Sequence, residues 1–86
     1  MFLDIYLHPD EPMARYDVEA ALEERLPAGC EIVGGIGQAG ANIDLEIPDR
    51  NAAQVVADVL RSLGVRSDTV LAFSDTREKV RLGEFP

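Results

Sequence analysis

The side chains of this chain that could do chemistry are mostly acids. Asp and Glu number 16, Lys and Arg 8, and there is one His. Asp4, Tyr6 and His8 alternate with Leu3, Ile5 and Leu7, and Asp44 and Glu46 alternate with Ile43, Leu45 and Ile47. Several uses are open to such a set. Asp4 close to Asp44 would share a proton, and one carboxyl would titrate high. His8 with Asp4 would offer metal ligands. Tyr6, His8 and Asp44 would serve as the acid–base groups of a small isomerase or dehydratase. A last use needs no reaction: grouped carboxylates attract a cationic partner.

The reactive uses lack support elsewhere in the chain. There is no H-E-x-x-H, no Cys cluster and no acidic loop with calcium-site spacing, so no metal ligand is assigned. No nucleophile, cofactor or catalytic residue is assigned either. Gly35-Ile36-Gly37-Gln38-Ala39-Gly40 matches G-x-G-x-x-G letter for letter. A dinucleotide site needs that loop to open a helix facing the pyrophosphate. Here it leads into Asn42-Ile43-Asp44-Leu45, which has strand periodicity, and the nearby acids would repel phosphate. A flexible hairpin is the expected structure. Cys30 has Glu31 rather than a cation beside it, so a half-buried structural thiol is expected.

The elements that position these residues follow from periodicity. Period two marks strands with one face buried and one wet. Residues 1–8 read as a first strand and His8-Pro9-Asp10-Glu11-Pro12 as a breaker. A helix then starts near Pro12 or at Asp17. Val18, Ala21, Leu22 and Leu26 form its stripe, Glu19, Glu23 and Glu24 face away, and Pro27-Ala28-Gly29 stops it. A second strand over about 30–35 and a third over about 41–47 flank the glycine turn as a hairpin. Asp49 or Asn51 caps a second helix with the stripe Ala52, Val55, Val56, Val59, Leu60 and Leu63, which Gly64 closes. A fourth strand covers about 69–74, and Asp75-Thr76-Arg77 is a turn. Lys79-Val80-Arg81-Leu82 is a short fifth strand or a frayed tail.

The order β-α-β-β-α-β predicts an α+β fold: a ferredoxin-like split βαββαβ plait with a four-stranded antiparallel sheet and both helices on one face. The first and third strands should be central neighbours. Their aliphatics would meet the helices, leaving Asp4, Tyr6, Asp44 and Glu46 on the bare face, extended by Glu31 and Val33. Glu19, Glu23 and Glu24 form a competing patch. The bare-face acids are either plainly solvated or a recognition surface. Arg77, Lys79 and Arg81, the one basic cluster, would pair with acids of the same chain or of a second copy.

The bulk numbers fit one domain over 1–86, with 47% apolar residues and a single Cys that suits a reducing cytosol. No apolar run approaches a membrane span, and no basic start precedes an apolar stretch, so neither a span nor a signal peptide is expected. A formal net charge of −8 argues against phosphate-directed nucleic-acid binding and against anionic membranes. It favours a basic protein partner.

The run from Gly34 through Asp49, then Val59-Leu60-Arg61-Ser62-Leu63-Gly64-Val65 and Thr69-Val70, resembles small acidic bacterial proteins of ferredoxin-like build. Some of these are similar to immunity proteins encoded beside polymorphic toxins. The resemblance covers roughly the second half of the chain and carries over no functional residue. It implies a non-catalytic inhibitor that covers a toxin's active site, and the lone Cys30 places it in the cytoplasm. The expected function is therefore a protein-binding module that neutralises a nuclease or nucleic-acid-modifying toxin through Asp4, Tyr6, Asp44, Glu46 and Glu31, or through Glu19, Glu23 and Glu24. The alternatives are a self-associating structural or regulatory domain, monomeric or weakly dimeric, and a small enzyme.

Overall fold

A computed structural model describes residues 1–33 and 42–85. The expected glycine turn over 34–40 lies outside the described residues. Five strands, β1 (Phe2–Tyr6), β2 (Glu31–Ile32), β3 (Asn42–Glu46), β4 (Val70–Phe73) and β5 (Lys79–Arg81), form one antiparallel sheet in the order β2-β3-β1-β4-β5. Helix α1 (Arg15–Arg25) follows β1, and α2 (Arg50–Leu63) follows β3. The fold is α+β. The expectation of four strands is corrected to five, because the segment after Arg77 pairs with β4 in place of fraying.

Alternation builds the core as expected. Leu3, Ile5, Ile43, Leu45 and Leu71 are fully buried and share one cluster with Val18 and Leu22 of α1 and with Val56 and Leu60 of α2. Cross-strand register keeps them together, since Leu3 lies opposite Leu45 and Phe73, and Ile5 opposite Ile43 and Leu71. Each large aliphatic removed from water in this layer stabilises the fold by about 1.5–3 kcal/mol before entropy is counted.

The helices are specified unequally. Asp49 caps α2, its carboxylate accepting from the Ala52 N–H at 3.1 Å, and Gly64 ends it in the left-handed region with φ 77. Its buried side is wider than the expected stripe, because Ala53 and Ala57 are buried while Val55 is exposed. Helix α1 begins at Arg15, after Ala14, with no side-chain cap. Asp17 is therefore not the cap but a first-turn acid, where it suits the helix dipole.

The segment after β5 is anchored. After β5 a single 3-10 turn (Leu82–Glu84) returns to the body of the protein. The Leu82 N–H donates to the Thr69 carbonyl at 2.7 Å, and the Arg61 guanidinium donates to the Leu82 carbonyl at 2.9 Å and also to that of Phe85. Thr69 itself is fully buried, and its hydroxyl has no hydrogen-bond partner among the described residues.

Candidate functional site: the bare sheet face

The strand residues that do not enter the core lie together on the opposite face of the sheet. Register aligns Asp4 with Asp44, Tyr6 with Asn42, Phe2 with Glu46, and Glu46 with Glu31. The Val33 N–H donates to the Asp44 carbonyl at 2.9 Å, which continues the ladder and sets Val33 beside Asp44. Five of the expected contact residues, Asp4, Tyr6, Asp44, Glu46 and Glu31, therefore meet on one surface. Both helices pack on the other side of the sheet.

Asp4 and Asp44 form the centre of the site. The Asn42 amide donates to Asp44 at 3.0 Å and orients that carboxylate. Asp4 is pushed up to about 6, first by partial burial between its neighbours, then by its hydrogen bond to Asp44 and by the charge of Asp44. Two carboxyls facing each other across adjacent strands are most stable when one holds a proton. The pair therefore changes charge near pH 6.

The face is not wholly polar. Phe2, Tyr6 and Val33 are 48, 43 and 45% exposed, and among the described residues the other exposed large apolar side chains are Tyr16 and Val55.

The competing acids on α1 do not form an equivalent site. Glu19 is half-buried and already engaged, accepting from Arg15 Nε at 2.7 Å. Glu23 and Glu24 are exposed, as expected, and Glu19 and Glu23 both line the shallow depression beside Tyr16.

His8 leaves the sheet and joins a different group. Its Nδ1 accepts from the Asp10 N–H at 3.0 Å, and its Nε2 lies 3.8 Å from Asp68. Arg66 grips Asp68 with two bonds of 3.0 and 2.9 Å, which holds that carboxyl below its usual range. Glu11 accepts from the Arg66 and Met13 N–H groups, tying the segment after β1 to the segment after α2. The grouping is a brace between two loops, and it separates His8 from the Asp4–Asp44 pair. Among the described residues no three His, Cys, Asp or Glu side chains are grouped to hold a metal ion. Cys30 is a half-buried free thiol, pushed up by burial and by Asp49. No described helix is long and apolar enough to cross a membrane.

One feature of this face was not assigned from the sequence. Ala72 lies opposite both Asp4 and Lys79, and Val70 opposite both Tyr6 and Arg81. Because Val80 between them packs toward the core, Lys79 and Arg81 share the bare face with the acids. A comparison of the chain with protein families, curated proteins and solved structures gives no match.

Proposed function

We propose that this chain is a non-catalytic protein-binding module of the ferredoxin-like plait type, acting as an immunity-type inhibitor of a basic toxin domain in the cytoplasm. The observation that carries this reading is the meeting of Asp4, Asp44, Glu46 and Glu31 on an uncovered sheet. Like charges on adjacent strands repel, by a few tenths of a kcal/mol or more per pair. A cationic partner converts that repulsion into attraction. A protein that acts on nucleic acid carries such a cationic surface to hold phosphates. Covering it with carboxylates would block the substrate and speed association through steering. Tyr6 supplies an aromatic anchor at the centre of the face.

The experiment is capture at low salt with the chain as bait, run beside an Asp44→Lys, Glu46→Lys double variant. The reading expects a basic protein retained by the native chain, lost by the variant and inhibited in its own activity when the native chain is added. Complex formation should weaken steeply as salt rises. Binding that ignores both the variant and the salt would overturn it.

A further inference from the structure

The bare face has two poles. One row across the sheet reads Asp44, Asp4, Ala72, Lys79, and the next reads Asn42, Tyr6, Val70, Arg81. Acids occupy the β2–β3–β1 side and cations the β5 side. Lys79 and Arg81 are both exposed, and neither makes an ion pair among the described residues. The nearest acid of the face, Asp4 on β1, is two strand spacings, about 10 Å, from Lys79. Strands stand about 4.8 Å apart, so Lys79 on β5 is three spacings, about 14 Å, from Asp44 on β3. That exceeds the screening length of about 8 Å at physiological salt.

A second copy removes this separation. We infer that the bare face pairs with the same face of another copy of this chain, in a two-fold dimer that sets Lys79 of each against Asp44 of the other. An axis lying along the strands between β1 and β4 carries β5 over β3 and β4 over β1. With no shift along the strands, Lys79 then faces Asp44, Arg81 faces Asn42, Ala72 faces Asp4 and Val70 faces Tyr6. Symmetry makes every contact twice. The apolar exposure of Tyr6 and Val70 falls near the axis, and the charge pairs fall at the flanks, as in protein interfaces with an apolar centre and polar rim.

The contact is small. The four overlapping strands, about 4.8 Å apart and three to five residues long, cover roughly 300 Å² per copy. That is the size of weak, reversible association. The inference does not rest on the inhibitor reading, but both use the same acids, so a basic partner and a second copy would compete for the face.

Sedimentation velocity over a concentration series tests it with the native chain, Lys79→Glu, Asp44→Lys and an equal mixture of the two variants. The native chain should gain mass with concentration and lose that gain at high salt. Each variant alone places like charges at both flanks and should self-associate at least about tenfold more weakly. The mixture should recover association, because Glu at 79 then meets Lys at 44 while the native pair is kept at the other flank. A native chain monomeric at every concentration overturns the inference. So does a Lys79→Glu variant that associates as the native chain does, or a mixture of folded variants that stays monomeric. Lys79 is exposed on an edge strand, so its variant decides the matter alone if Asp44→Lys does not fold.

Discussion

Leu45 and Glu46 are adjacent in the chain and occupy opposite environments. Leu45 is fully buried beneath the helices, whereas Glu46 is exposed on open sheet. The same contrast separates Ile5 from Tyr6 and, less sharply, Leu3 from the half-buried Asp4. One set of residues is dry, aliphatic and close-packed. The other is wet, charged and interrupted by exposed rings. The pleat divides stability from recognition within single strands, so either can change without the other.

The sharpest way to break this comparison is to truncate both neighbours. Leu45→Ala should lower the unfolding free energy by about 2–5 kcal/mol through lost burial and a residual cavity. Glu46→Ala should change it by no more than about 0.5 kcal/mol. Urea denaturation of the two variants checks this, and similar losses would mean that the faces do not divide the labour. A smaller effect tests the dry side from the polar direction. The Thr69 hydroxyl is buried without a partner among the described residues. Thr69→Val replaces it with a methyl group of similar shape and should raise stability by about 1 kcal/mol, seen as a higher Tm. A drop would show that the hydroxyl is satisfied after all.

A third effect belongs to the wet side and has a definite sign. Asp4 is raised from 3.8 to about 6 on folding, so between those values the folded protein holds more proton than the unfolded chain. Its contribution to stability is therefore favourable at low pH and declines as pH rises from about 4 to about 6. Asp4→Asn should remove that decline and make the protein slightly more stable than the native chain at neutral pH. Denaturation of both proteins across this range isolates the effect. Asp68 works in the opposite direction, since its lowered carboxyl loses its ion pair with Arg66 on acidification, and it is common to both proteins.

The wet side was legible because its signal is local. Asp4, Tyr6, Asp44 and Glu46 follow from period two alone, and the α2 stripe follows from three-and-four spacing. What stayed hidden depends on contacts between distant residues. Val55 belongs to the α2 apolar repeat, yet the small Ala53 and Ala57 take the buried positions. Alanine carries too little hydropathy to mark a face. The start of α1 was displaced because Ala14 offers no capping side chain. Lys79 and Arg81 could not be placed with the acids, because a three-residue strand has no readable parity until its pairing with Val70 and Ala72 is known. The choice between strand and frayed tail was likewise decided from outside the segment, by Thr69, Ser67 and Arg61.

Arg61 has a consequence for how the molecule opens. One guanidinium on the last turn of α2 grips two carbonyls of the terminal turn, 21 and 24 residues further along the chain. It works as a latch that couples β5, through the turn that follows it, to the end of α2. Amide hydrogens in β5 should therefore exchange in step with those at the end of α2, as one cooperative unit rather than as an independently fluctuating border.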